Sequence, residues 1–137
     1  MTTANSAEAL RTELNTTADG LRYVSEADHP FDFVAFPDAP PDALSVERIA
    51  AVVGKPGAPV EEVTLERFFS GMIESADPAD AATQALVPRF RTLRDQLRER
   101  MPDVRAFRVG QVEMDCYLLG TVPSGGIAGL HTQALET

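Results

Sequence analysis

Residues 104–118, VRAFRVGQVEMDCYL, decide the fold class of this 137-residue chain. Apolar and polar residues alternate along both halves of the stretch, and Gly110-Gln111 between the halves is typical of a tight hairpin turn. Further on, the turn residues of 123–126 precede a strand that we predict over residues 127–135. The last third of the chain therefore predicts three antiparallel strands.

Upstream of these strands, apolar residues recur at helical spacing. In residues 86–101 they follow one another at intervals of 4, 3, 4 and 4 positions and so share one helix face. Pro88 predicts either a kink in this helix or its true start. Together these patterns predict one α+β domain over residues 1–137, with helices covering a mainly antiparallel sheet. Shorter elements are predicted as helices from Ser6 to about Asp19, from Ser45 and from Thr64, and as a strand at Phe31–Phe36.

The composition predicts a cytoplasmic protein. The single cysteine, Cys116, excludes an internal disulfide and a cysteine-based zinc site. The first residues lack the basic and apolar regions of a signal peptide, and no stretch approaches the roughly 18 consecutive apolar residues of a membrane span. We therefore expect no membrane partner.

The charge is strongly acidic, with 12 Lys and Arg against 21 Asp and Glu, a net charge of −9. Nucleic-acid binders need basic patches to neutralise phosphates, so we expect no direct contact with nucleic acid. An acidic domain can instead be steered onto a basic protein, although solubility alone also explains the charge. Residues 23–47 carry six acids and no base, and residues 109–137 carry no Lys or Arg.

The residues of an enzyme are not evident in the sequence, and no cofactor is expected. His29 and His131 lie far apart without a metal-spaced partner, so structural roles are expected for both. Cys116 lies on the apolar side of its strand, as a packed thiol does. Glu113 and Asp115 share the other side, where we expect solvated residues rather than a pair of catalytic carboxylates.

Two segments resemble the nuclease A inhibitor family. Residues 21–31, LRYVSEADHPF, are similar to the family's Leu-x-Tyr-x-Ser-Glu-x-Asp-x-Pro-Phe segment. Residues 107–125 resemble the family from Phe107-Arg108-Val109-Gly110 to Thr121-Val122-Pro123-Ser124-Gly125. The order and spacing of the motifs carry the resemblance, which runs from about Leu10 to the last residue. Shorter matches lie at residues 59–63, 68–69, 128–130 and 136–137.

The resemblance implies a three-layer α/β/α sandwich and a role as a nuclease inhibitor. The partner would be a sugar-nonspecific, Mg²⁺-dependent ββα-metal nuclease, bound in a 1:1 complex through mimicry of DNA or RNA. In the family, the carboxylate of a terminal threonine reaches the catalytic magnesium of the nuclease, and the matching residue here is Thr137. This chemistry is reasonable, because Mg²⁺ accepts carboxylate oxygen while it keeps several waters.

The resemblance also implies acidic contacts with the basic substrate groove of the nuclease. The matching residues are Glu26 and Asp77, and the secondary candidates are Asp28, Pro78 and Glu136. Where the family has a tryptophan after the aspartate, this chain has Pro78, so an aromatic contact at the rim of the groove is missing.

Alternatives stay open for the protein and for each residue. The same fold could serve as an acidic binding module for another basic protein, or the chain could be a small enzyme. Glu26 and Asp28 could simply shape the turn before Pro30, and Asp77 could cap a helix. Three observations separate these functions. Stable binding to a nuclease supports the inhibitor, binding to a basic protein without nuclease activity supports the binding module, and turnover by the purified chain supports the enzyme.

Overall fold

The computed structural model describes residues 7–19, 21, 30–73, 79–110, 113–122 and 125–135. Within them the protein is an α+β domain, as the sequence predicts, and it has one five-stranded sheet. The helices are α1 (Ala7–Ala18), α2 (Ile49–Val52), α3 (Leu65–Ile73) and α4 (Ala81–Arg100), with a 3-10 turn at Pro41–Ala43. The strands are β1 (Asp32–Phe36), β2 (Val60–Val63), β3 (Arg105–Gly110), β4 (Glu113–Thr121) and β5 (Ile127–Leu135).

The sheet has the strand order β1-β5-β4-β3-β2, and every neighbouring pair is antiparallel. Its longest ladder joins β4 to β5, from Glu113 opposite Leu135 to Thr121 opposite Ile127. The three strands predicted in the last third are confirmed. Strand β2 was not predicted: Val60–Val63 pairs with β3 at the edge of the sheet, directly after the loop that ends at Pro59.

Helices α1, α3 and α4 cover one face of the sheet. The predicted stripe of α4 is confirmed, since Phe90, Leu93 and Leu97 are all buried in the main core. Cys116 of β4 is also fully buried in this core, as predicted. Pro88 lies inside α4, so the interpretation of Pro88 as the start of the helix is wrong.

The other face of the sheet is covered by residues 39–60, which form a second apolar cluster with it. Ala43, Leu44 and Ile49 pack there against the strands. The helix predicted from Ser45 is shorter than expected: α2 starts only at Ile49, and Val46, which was predicted on its buried face, is exposed. This face carries a single α-helical turn and irregular chain, so the three-layer sandwich stays a prediction.

Strands β4 and β5 approach each other closely at Gly129. A Cβ placed on Gly129 would overlap the carbonyl oxygen of Leu118. Glycine is therefore required here, because any larger residue would force the two strands apart.

Candidate partner-binding end of the sheet

At one end of the sheet, β5 ends beside the starts of its two neighbours, β1 and β4. The pairing places Leu135 opposite Glu113 and His131 opposite Asp32, so β1 and β4 begin where β5 ends. Strand β3 finishes there at Gly110. We call this end, marked by Asp32, Gly110, Glu113 and Leu135, the β5-exit end.

Helix α4 runs toward the opposite end of the sheet. Just after it, the Asp103 carboxylate accepts a hydrogen bond from the backbone N–H of Thr121, the last residue of β4, at 3.1 Å. The 20 residues of α4 span about 30 Å, which is close to the length of the nine-residue strand β4. The end of α4 therefore lies at the opposite end of the sheet, and the helix is long enough for its start to reach the β5-exit end. Arg98 near the end of α4 pairs with Glu66 at the start of α3, and Phe90 earlier in α4 contacts Phe69 further along α3, so the two helices run antiparallel.

The residues expected to contact a nuclease lie outside the described residues, but their neighbours in the chain are described. These neighbours are Pro30 before β1, Ala79 before α4 and Leu135 at the end of β5. Strand pairing places Pro30 and Leu135 at the β5-exit end. The fold thus brings together the borders of two segments that are far apart in sequence, and α4 is long enough for Ala79 to lie near them. The residues outside the description are Glu26, Asp28, Asp77, Pro78, Glu136 and Thr137.

A buried carboxylate lies on the sheet next to the β5-exit end. Asp115 is only 6% exposed, and its Oδ1 lies 2.8 Å from Nε2 of His131 and 3.3 Å from Nε2 of Gln133. Its Oδ2 forms an ion pair with the ammonium group of Lys55, whose side chain is 45% exposed. Buried charge is costly unless it is paired and hydrogen-bonded, and this arrangement provides both. We call these four residues the Asp115 network.

The expectation that Asp115 is solvated is wrong. It lies on the sheet face that residues 39–60 cover, where Tyr117 and Leu119 of the same strand are buried as well. His131 has a structural role, as expected, but as a partner of Asp115. The ion-pair partner of Asp115, Lys55, is the only lysine of the chain and follows Gly54, whose backbone is left-handed (φ +82°), in the loop before β2.

Tyr117 closes the Asp115 network on the side away from the β5-exit end. Its ring lies 4.9 Å from the His131 ring, centroid to centroid, at an interplanar angle of 45°. Burial raises the pKa of the Tyr117 phenol, because the charged phenolate loses its hydration. The phenol therefore stays neutral beside the Asp115–Lys55 pair at physiological pH.

The described residues give no indication of a metal site or a membrane segment. Within them, no group of three His, Cys, Asp or Glu side chains could hold a metal ion. None of the described helices has both the length and the apolar character that crossing a bilayer requires.

Comparison with known proteins agrees with the resemblance seen in the sequence. A search of curated proteins finds no match. A family model described as nuclease A inhibitor-like protein matches residues 8–137, which include every element of the sheet and the borders of the β5-exit end. Because this match spans nearly the whole chain, the protein belongs to the nuclease A inhibitor-like family.

Proposed function

We propose that this protein inhibits a sugar-nonspecific, Mg²⁺-dependent ββα-metal endonuclease by binding it 1:1 through the β5-exit end. Membership of an inhibitor-like family indicates a nuclease as the general class of partner. In this proposal the protein is cytoplasmic, has no catalytic activity of its own and needs no cofactor. Residues 39–60 form the third layer of its sandwich.

One observation carries the proposal: the borders of two expected contact segments, Pro30 and Leu135, lie at one end of the sheet, and α4 is long enough to bring the third border there. Thr137 follows Leu135 by two residues, and two residues span at most about 7 Å. Asp77 precedes Ala79 by two residues as well, so the same limit applies to it. Thr137 is therefore tied to the β5-exit end by a short length of chain, and Glu26 is tied to it through Pro30. Asp77 is tied in the same way to the start of α4.

The chemistry of the proposed contact is substitution of carboxylates for phosphates. A nuclease groove holds phosphates with basic side chains beside a hard cation, and Mg²⁺ readily takes carboxylate oxygen. In the proposed complex Thr137 supplies its terminal carboxylate to that Mg²⁺. Glu26 and Asp77, with Asp28 and Glu136 as secondary contacts, face the basic groove and exclude the substrate.

A titration of nuclease activity tests the proposal. A purified ββα-metal nuclease is titrated with the protein, and cleavage of both DNA and RNA is followed. We expect inhibition that is complete at one inhibitor per nuclease. Glu26→Gln and Asp77→Asn should each weaken it, because each leaves basic groups of the groove without a partner.

Asp38→Asn is the matched control for these variants. Asp38 is exposed and lies just after β1 ends, at the other end of the sheet, so removal of its charge should leave inhibition unchanged. Equal losses for Asp38→Asn and Asp77→Asn would show that only the net charge matters. Binding to basic proteins without any inhibition of nucleases would favour an acidic binding module instead.

A further inference from the structure

The last residues of β5 extend beyond its regular ladder with β1. That ladder ends where Asp32 faces His131, whereas the ladder with β4 continues to Leu135 opposite Glu113. Strand ends that lose a neighbour fray more easily than the middle of a sheet. Before β1, Pro30 makes an isolated bridge in place of a continuous ladder, so the end of β5 depends in part on interactions other than the β1 ladder.

The Asp115 network supplies such interactions at this place. His131 and Gln133 project from β5 on the same face, and both reach Oδ1 of Asp115 on β4. Lys55 holds Oδ2 from the loop before β2, so the network ties β5 to a third part of the chain. Gln133 is exposed and His131 is half-buried, which places the network at the boundary between the core and the β5-exit end.

We propose that Asp115 is a positioning residue for inhibition: through His131, Gln133 and Lys55 it holds the end of β5 so that the carboxylate of Thr137 is presented to the nuclease metal. This inference rests on the proposed function. Asp115 itself is buried and need not touch the nuclease. It acts as the groups behind a metal ligand do when they fix the direction in which that ligand points.

A double-variant cycle separates positioning from a general effect on the fold. Asp115→Asn and deletion of Thr137 are made singly and together, and inhibition constants are measured against a ββα-metal nuclease that the wild-type protein inhibits. In the full-length chain we expect Asp115→Asn to weaken inhibition on the order of tenfold, the lower end of what such supporting groups contribute at metal sites. In the chain without Thr137 the same substitution should change inhibition very little, because no terminal carboxylate is left to position.

Asp103→Asn is the matched control. The exposed Asp103 carboxylate also bonds to β4, but at the opposite end of the sheet, where it accepts a hydrogen bond from the backbone N–H of Thr121. It should leave inhibition unchanged in both backgrounds. Lys55→Met provides a second test that leaves both strands intact, and it should reproduce the dependence on Thr137.

Hydrogen exchange gives a readout that needs no nuclease. Asp115→Asn should speed exchange at residues 131–135, whereas Asp103→Asn should not. Equal losses of inhibition with and without Thr137, no loss at all, or unchanged exchange in β5 would overturn the positioning role. If the wild-type protein inhibits no nuclease, the proposed function fails, and the role assigned to Asp115 fails with it.

Discussion

Lys55→Met is the substitution that tests the Asp115 network most simply, because methionine has an unbranched side chain of similar length and lacks the ammonium group. It takes away the partner of Asp115 Oδ2 and leaves His131 and Gln133 on Oδ1. Breaking a fully buried ion pair costs about 3–5 kcal/mol, whereas exposed pairs are worth about 0–1 kcal/mol. Asp115 is buried but the Lys55 side chain is 45% exposed, so water can replace part of the ammonium.

We therefore expect Lys55→Met to lower the free energy of unfolding by about 1–2 kcal/mol, between the two limits. Urea unfolding measures this as a fall in the midpoint of roughly 0.5–1 M for a typical slope of about 2 kcal/mol per M. In an Asp115→Asn background the same substitution should change the free energy of unfolding very little, because no buried charge then loses its partner.

Arg48→Met is the control for this prediction, since it breaks the Arg48–Asp42 pair, in which both side chains are more than 60% exposed. It should cost less than about 0.5 kcal/mol. A loss for Lys55→Met as small as that of Arg48→Met would refute the reasoning, because Asp115 would then not be a buried charge that depends on Lys55.

Three further predictions concern the fold, the alkaline titration and the association rate. Gly129→Ala should unfold the protein or lower its melting temperature strongly, because the new methyl group would overlap the backbone of Leu118. An unchanged melting temperature in calorimetry would show that a Cβ fits there. The pKa of Tyr117 is raised in the folded protein, so its contribution to stability is present below about pH 10 and is lost as the pH rises through the folded pKa. The tyrosinate absorbance that Tyr117→Phe removes should therefore have its titration midpoint above about pH 10, and a midpoint at or below that pH would contradict the burial. The rate of association with the nuclease, measured by stopped flow, should fall as the salt concentration is raised, since exposed charges more than about 8 Å apart are screened at physiological ionic strength. An association rate that does not depend on salt would show that the acidic surface does not steer the encounter.

Local patterns in the sequence predict much of the fold. The alternation after Val104 indicates β3 and β4, and β5 spans Ile127–Leu135 as predicted. Strand β2 is not predicted from the sequence, because apolar and polar residues do not alternate in Val60-Glu61-Glu62-Val63 and because the segment follows a loop rich in Pro and Gly. A short edge strand of this kind is recognised only by its pairing with β3, which is a contact distant in sequence.

The Asp115 network could not be predicted for a related reason. A charged residue in a strand is normally solvated, and nothing near Asp115 in the sequence indicates that residues 39–60 fold over it. Its ion-pair partner, Lys55, lies in that covering segment. The family resemblance identifies the expected contact residues, but it gives no information on the buried groups that support them.

The most direct test of the central claim is the effect of the last residue on inhibition. A ββα-metal nuclease is titrated with the wild-type protein, with a chain that lacks Thr137, with a chain extended beyond Thr137 and with Thr137→Ser. Deletion shortens the reach of the carboxylate by up to about 3.5 Å, and extension moves the terminal charge away. Each should cost on the order of 2–5 kcal/mol of binding, whereas Thr137→Ser keeps the carboxylate and should inhibit nearly as well as wild type. Equal inhibition by all four proteins would contradict the claim that the terminal carboxylate reaches the nuclease metal.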